Sequence, residues 1–259
     1  MKAAAHLRTS ILGACFLFAA SQVHALVITS TGMSNGSPSQ PTYQAGISTG
    51  DVGQSFTLDW LVPSGTGPLP IDLTATVTFS INAFSLNSTG NDILSLGINI
   101  ANTTDLSAYP ESNSAILSFG FGVTPDATAS IASSGSVFDS IGTGSGPNQT
   151  FPGGFKNIDV CIFSAGCSGG DVNSGLQAGS SDSLIINLTG NFDQNGTAAG
   201  AVSLLDFPLK FQGTWGSFET PGQTKRVPEP GTLALLGIAL LGISLTNRRR
   251  KSLSKQNNQ

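Results

Sequence analysis

The feature that most constrains the fold of this chain is a strict alternation of apolar and polar side chains between residues 71 and 81. Apolar residues occupy every second position from Ile71 to Ile81, and Asp, Thr and Ser residues occupy the positions between them. Because successive side chains of a β-strand point to opposite faces, this period of two predicts a long strand with one buried face. Shorter alternations of the same kind stand at residues 56–60, 94–100, 117–123, 158–162, 184–188, 202–204 and 209–211.

Clusters of turn-forming residues separate these predicted strands. Gly, Pro, Asn, Asp and Ser concentrate at residues 64–70, 87–92, 142–148 and 193–196, and glycine interrupts every candidate helical stripe. About ten short strands joined by turns predict an all-β domain over residues 26–223, either an antiparallel β-sandwich or a jelly roll. Inside this domain, the stretches 32–51 and 142–154 are poor in apolar residues and are expected to be loops.

Residues 1–25 have the composition of a secretory signal peptide. Two cations precede the apolar residues 11–20, and a small-x-small cleavage site ends at Ala25. This order predicts export from the cell interior, with cleavage after Ala25. Lipidation of Cys15 is the alternative, because residues 12–15 satisfy a lipobox. Cleavage after Ala25 is preferred, since most of the apolar stretch would otherwise follow the cleavage site.

Residues 224–259 form a second targeting segment with three parts in a fixed order. An uncharged apolar run at 231–247 predicts a single transmembrane helix, and the cations after it are expected to stay on the cytoplasmic side. Because proline cannot continue a helix backwards, the peptide before the run is expected to be extended and accessible. The extended peptide is Val227, Pro228, Glu229 and Pro230, and the cations are Arg248, Arg249, Arg250 and Lys251. The polar stretch 220–226 predicts a linker that lets the domain hang free of the membrane.

This combination resembles the PEP-CTERM sorting signal of Gram-negative bacteria. In that family an exosortase, a membrane cysteine transpeptidase, recognises Pro-Glu-Pro and processes the protein there. The resemblance therefore implies an exosortase as partner, transient anchoring in the inner membrane and a final place at the cell surface or outside the cell. It also implies a link to exopolysaccharide and biofilm. A plain tail anchor with a chance Pro-Glu-Pro is the alternative.

A second resemblance lies in the cysteine region. The sequence IDVCIFSAGCSGG at 158–170, with Gly175-Leu176 and Phe211-Gln212 farther on, is similar to the cistern family of PEP-CTERM proteins. This resemblance implies no known chemistry.

The two cysteines of the exported part are predicted to form a disulfide. Once Cys15 is removed with the signal peptide, Cys161 and Cys167 remain as an even pair in an oxidising compartment. A zinc site is disfavoured, because two cysteines without histidine cannot complete a tetrahedral shell. A redox site is disfavoured because the spacing is wider than Cys-x-x-Cys.

The charge of the body excludes nucleic acid as a partner. Fourteen acidic residues stand against Lys156 and Lys210 in residues 26–223, a net charge of about −12. The only histidines, His6 and His24, lie in the signal peptide, so no Ser-His-Asp or Cys-His catalyst can be assembled after export.

No other catalytic, metal or cofactor site emerges from the sequence. Trp60 and Trp215 are expected in the core or at a sheet edge rather than as sugar platforms. The loops that begin at Asp171 and Asp193 lack the closing glutamate of a calcium loop and are expected to be turns. The sequence therefore predicts an exported protein that is not an enzyme. A carbohydrate-binding module or carbohydrate-active enzyme on the same anchor is the alternative.

Overall fold

The chain folds almost entirely into β-strands. The computed structural model describes residues 26, 28–33, 41–87, 92–143, 150–193 and 200–224, so the predicted signal peptide and transmembrane run lie outside the described residues. Among the described residues, no helix is long and apolar enough to cross a membrane. The strands, in chain order, are β1 (Ile28–Met33), β2 (Pro41–Ser48), β3 (Ser55–Val62), β4 (Leu73–Ser85), β5 (Asp92–Asn102), β6 (Ser114–Thr124), β7 (Ala127–Ser133), β8 (Ser140–Thr143), β9 (Thr150–Phe151), β10 (Phe155–Lys156), β11 (Val160–Phe163), β12 (Leu176–Gln177), β13 (Ser181–Gly190), β14 (Ala201–Leu205), β15 (Pro208–Gly213), β16 (Gly216–Pro221) and β17 (Gln223–Thr224).

These strands build two large antiparallel sheets in the described part of the chain. The nine-stranded sheet follows the order β1-β2-β14-β6-β11-β8, with β12 and β15 also paired to β6, and β16 paired to β15. The six-stranded sheet follows the order β17-β3-β4-β5-β13-β7, and β9 and β10 form a separate hairpin. Buried residues of both large sheets share one hydrophobic core. The predicted all-β antiparallel class is confirmed, and the layering is consistent with a β-sandwich.

Strand β4 shows how the sequence pattern produces this layering. Its apolar positions from Leu73 to Ile81 are buried in the core, and the Thr and Ser residues between them are half-buried on the outer face. The predicted alternation is confirmed in the same way in β3, β5 and β13. Each buried apolar side chain of this size stabilises the fold by about 1.5–3 kcal/mol relative to exposure.

An aromatic cluster joins the two sheets. The ring of Phe79 stacks on that of Phe56 at 4.9 Å, and both belong to the six-stranded sheet. Phe121 of the nine-stranded sheet meets Phe79 edge-on at 6.0 Å. Phe207, between β14 and β15, lies 5.6 Å from Phe79 and 5.9 Å from Phe56. Such ring pairs add about 0.5–1.5 kcal/mol each beyond the burial of their surface.

Strand β6 departs from the predicted half-buried pattern, because both of its faces are buried from Ser114 to Val123. Its inner face carries Phe119, Phe121 and Val123 as predicted, but Ile116 takes the place predicted for Leu117 in the main core, where the pairing with β15 shifts register. Its outer face is covered by a second, smaller core, which the alternation rule cannot foresee. That core consists of Phe151, Phe155, Ile158 and Cys161, with Phe163 and Cys167 packed against it.

Two glycines make this covering possible. A Cβ at Gly120 would lie 2.4 Å from the carbonyl oxygen of Val160, and one at Gly122 would lie 2.4 Å from that of Asn157. Real Cβ atoms do not approach backbone so closely, so only glycine lets the backbone of residues 157–160 come this near to β6.

Three predicted non-strand segments are corrected by the structure. Residues 41–48, expected in a loop, form β2, which buries Ala45 and Ile47 between β1 and β14. Part of the expected loop 142–154 belongs to the second core through Phe151. The expected linker 220–226 is a strand as far as Thr224, apart from Gly222, with Thr220 and Pro221 buried. Short strands with few apolar residues gain their burial from neighbours distant in sequence, which no local pattern records.

We expect Gly120→Ala to lower the free energy of unfolding by about 1–3 kcal/mol, because the added methyl group collides with the backbone of β11. Gly46→Ala is the matched control: Gly46 lies in β2, and a Cβ there meets nothing within 4 Å. Urea denaturation of the exported protein measures both. If Gly46→Ala lowered the free energy of unfolding as much as Gly120→Ala does, the close approach of the Val160 backbone to Gly120 would be contradicted.

Candidate functional site

The structure describes only some of the residues that the sequence singles out. The sorting peptide Val227–Pro230, the cations 248–251 and the cleavage position Ala25 lie outside the described residues. Cys161 and Cys167 lie inside them and form the predicted disulfide, with their Cα atoms 6.0 Å apart. The Oγ of Ser118 on β6 donates a hydrogen bond of 2.9 Å to the carbonyl oxygen of Cys167. The disulfide loop is therefore fastened to the outer face of the nine-stranded sheet.

Many of the acidic side chains accept hydrogen bonds from backbone N–H groups. Asp182 is buried, and its two oxygens accept the N–H groups of Ser136, Val137 and Phe138 at 2.7, 3.0 and 2.8 Å. Asp92 is fully buried and accepts the N–H group of Phe192 at 2.7 Å. The same use recurs at Asp51, Asp72, Asp105, Asp159 and Asp171. A carboxylate engaged in this way satisfies loop donors that the sheets leave unpaired.

The pKa values of four described carboxyls are displaced, and hydrogen bonds from Ser107 lower the pKa of the exposed Asp105. Burial alone would raise the pKa of Asp182, but the N–H groups of its loop outweigh burial and hold the pKa below its ordinary value. Burial raises the pKa of Asp159, opposed by its hydrogen bond from Val123 and assisted by the charge of Asp126. Burial also raises the pKa of Asp206. Raised carboxyl pKa values occur in catalytic acids and in structural carboxyls alike.

The most buried cation of the described residues is also paired. Lys210 on β15 lies opposite Glu219 on β16, and its Nζ meets the Oε1 of Glu219 at 2.5 Å. The hydroxyl of Ser217 accepts from the same Nζ. Cβ atoms built at Gly153 and Gly169 would contact these side chains, so two loops close over the pair. This arrangement is typical of a structural ion pair beneath loops.

The two tryptophans and Asp171 make structural contacts, and the loop that begins at Asp193 lies largely outside the described residues. Trp60 is buried, and its indole N–H donates to the carbonyl oxygen of Phe207 at 2.8 Å. Trp215 is half-buried and meets Tyr109 edge-on. Asp171 caps a short 3-10 helix through the N–H group of Asn173. Within the described ranges, no group of three or more His, Cys, Asp or Glu side chains is placed to hold a metal ion.

A shallow concavity lies on the outer face of the six-stranded sheet. It is open to solvent and has a volume of about 370 Å³. Its lining combines the apolar residues Ile98, Leu184 and Ile185 with hydroxyl and amide groups, and it carries no charged side chain. The polar lining residues are Ser80, Asn82, Asn99, Ser133 and Ser183, around Gly97.

Two irregularities in strand pairing flank this concavity. The register shifts by one residue between Ile81 and Ala83 of β4, opposite β5. It shifts again between Ile185 and Ile186, where β13 pairs with β7. Bulges bend a strand locally and re-aim its side chains, and they are common beside binding sites.

The floor of the concavity is open because of Gly97. A Cβ at this position would lie 3.0 Å from the amide nitrogen of Asn82, so glycine leaves room for that side chain. Two residues after Gly97 on β5, the Nδ2 of Asn99 donates to the Oγ of Ser183 at 2.8 Å. The site thus offers hydrogen-bond donors and acceptors to a neutral polar ligand.

Sequence reasoning missed this site, although it carries a signal. The apolar period of two in β4 ends at Ile81, and the next side chain packed against the core is Phe84. Ile81 and Phe84 are separated by an odd number of positions, where regular alternation requires an even number, and such a break is typical of a bulge. The position of Gly97 beside it depends on pairing with β5 and has no local signal.

We expect Asp182→Asn to lower the free energy of unfolding at neutral pH by about 1.5–3 kcal/mol, because an amide nitrogen would face backbone donors. Since the folded-state pKa of Asp182 is lowered, its contribution is present above the ordinary carboxyl pKa and is lost as the pH falls through the folded pKa. The difference in free energy of unfolding between wild type and Asp182→Asn should therefore become smaller in acid. Urea denaturation across that pH range measures it.

Asp139→Asn is the control for this prediction, because Asp139 is exposed and accepts only the hydroxyl of Ser140 among the contacts described. Its effect should stay within about 0.5 kcal/mol. A pH-independent gap for Asp182→Asn would contradict the role assigned to the carboxylate.

Comparison with known protein families finds one match, to the PEP-CTERM protein-sorting motif, at residues 226–251. The matched range includes Val227–Pro230 and the cations 248–251. Neither the comparison with curated proteins nor that with solved structures finds a match. The similarity to the cistern family is not confirmed, because the match does not reach the cysteine region. A motif of this kind implies export, transient anchoring in the inner membrane of a Gram-negative bacterium and processing by an exosortase. The chain therefore carries a PEP-CTERM protein-sorting motif.

Proposed function

We propose that this protein is a non-enzymatic component of the cell surface or extracellular matrix, sorted there by an exosortase that reads Val227–Pro230. The motif match at residues 226–251 is the observation that carries the proposal. The peptide from 227 to 230 holds two prolines, which favour an extended and readable backbone. The body from β1 to β17 is then the cargo that the signal delivers.

The use of its carboxylates supports a non-enzymatic body. General acid–base chemistry on a glycosidic bond needs two carboxyls that face one another across the substrate. In the described residues, Asp92, Asp159 and Asp182 accept backbone N–H groups, and Glu219 is paired with Lys210. The exported part also lacks histidine as a base. These side chains stabilise loops, and their hydrogen-bonding capacity is taken up by that task.

The proposed location outside the cell agrees with the surface of the body. Its outer sheet face carries hydroxyl and amide groups, and its net charge is about −12. Such a surface stays hydrated and repels polyanions. The resemblance to PEP-CTERM proteins adds a link to exopolysaccharide and biofilm, which we include in the proposal.

We expect Glu229→Ala to leave an unprocessed precursor in the inner membrane, because it removes the only charged side chain of the Pro-Glu-Pro peptide. Mass spectrometry of the protein from producing cells measures the processed fraction. Glu111→Ala is the matched control, since Glu111 is exposed and lies outside the motif. Processing of Glu229→Ala at the rate of the control would refute the sorting role.

A second candidate function, carbohydrate binding, is favoured by the concave site around Gly97. Its hydroxyl and amide groups can exchange hydrogen bonds with sugar hydroxyls, and its volume suits one or two rings. The acidic body disfavours anionic polymers, so a neutral saccharide is the ligand class we propose. Since no aromatic platform lines the site, each contact would be weak, and many copies on a surface would bind through avidity.

We expect Asn82→Ala to weaken binding of a neutral oligosaccharide, with cellohexaose and laminarihexaose as probes, by roughly threefold to tenfold for each lost hydrogen bond. Asn187→Ala is the matched control, because Asn187 lies on the same sheet outside the concavity. Calorimetry of the exported protein measures the affinities. Equal affinities, or no binding at all, would exclude this function, and turnover of either probe would refute a non-enzymatic body.

A further inference from the structure

The folded body ends very close to the sorting peptide. Strand β17 ends at Thr224, and the first residue of the peptide is Val227. Only residues 225 and 226 lie between them. Three peptide steps span at most about 11 Å even when fully extended. An enzyme that holds the peptide therefore works within about 11 Å of the end of the fold.

The last residues of the body are firmly held. The Oγ1 of Thr220 donates to the carbonyl oxygen of Leu61, and Pro221 is buried. A Cβ at Gly222 would lie 2.8 Å from the indole ring of Trp60, and its N–H donates to the carbonyl oxygen of Phe207. Releasing this segment to lengthen the tether would expose part of the core around Trp60.

The direction of β17 shows where the chain leaves the body. Thr224 pairs with Leu58, and because β17 is antiparallel to β3 the chain runs from there towards Ser55, where β3 begins. We name this end of the body the exit end. It contains the connection Thr49–Gln54 between β2 and β3, on which Val52 is 44% exposed.

The beginning of the exported part lies at the same end. Ile28, the first residue of β1, pairs with Ala45, close to where β2 ends at Ser48. Leu26 precedes it and packs against the main core. Leu26, which follows the predicted cleavage site, and Thr224, the last described residue before the sorting peptide, therefore both lie towards the exit end. Before either signal is processed, two short tethers would hold this end towards the membrane.

We propose that the exosortase contacts the exit end of the folded body while it processes the sorting peptide, with the connection Thr49–Gln54 as the contact surface. The inference rests on the proposed sorting function. An enzyme that holds an extended peptide covers several of its residues. Two intervening residues leave no room to keep the body away, so the body and the enzyme meet. The opposite end of the sandwich points away from the membrane.

The test is site-specific photo-crosslinking in producing cells that contain the exosortase. A photoreactive amino acid replaces Val52 at the exit end or Leu61 near the other end of β3, and both positions are 44% exposed. We expect a cross-link to the exosortase from position 52 and none from position 61. Equal cross-linking from both positions, or cross-links from position 52 to lipid alone, would overturn the proposal.

A spacer variant separates this proposal from the sorting function. Eight Gly and Ser residues inserted after Thr224 should abolish the cross-link from position 52 while the processed product still forms. If the cross-link survived the spacer unchanged, the proposal that the short tether causes the contact would be overturned. If Glu229→Ala were processed normally, the sorting function itself would fail. If Glu229→Ala blocks processing and position 52 still gives no cross-link, only the contact fails.

Discussion

The fold depends on contact between the inner faces of two sheets, and the ring of Phe79 lies at the centre of that contact. It stacks on Phe56 within its own sheet and meets Phe121 of the other sheet edge-on. Neither sheet could bury its apolar face alone, because a single sheet leaves that face in contact with water until a second layer covers it. The aromatic cluster thus sets the spacing at which the remaining apolar side chains interlock.

A chain so rich in turns must satisfy many backbone groups without helices, and it does so with short polar side chains. Asp92 and Asp182 are buried and accept N–H groups of loop residues, and buried Asn102 donates to the carbonyl oxygens of Ser114 and Leu176, where β6 and β12 begin. The acidity of the body therefore has a structural origin in part. Buried carboxylates such as Asp92 and Asp182 hold loops against the sandwich, which is the observation behind the proposed non-enzymatic role.

The folded body ends close to the targeting segment in the sequence. Because Thr220 and Gly222 are built into the sandwich, only residues 225 and 226 separate the last described strand from the sorting peptide. Under the proposed contact, the body would present its exit end to the exosortase. The concave site around Gly97 lies elsewhere, on the outer face of the six-stranded sheet.

The amino-acid pattern by itself determined the class of the fold, the main buried strands, the disulfide partners and the presence of the sorting motif. Those features are local: a period of two, an even pair of cysteines and a three-part segment can each be read within a few residues. Tertiary structure alone decided the second core over β6, the strand at 41–48, the concavity beside Asn82 and the short tether after Thr224. Each of these arises where segments distant in sequence meet, so the burial that stabilises them depends on neighbours that no local window contains.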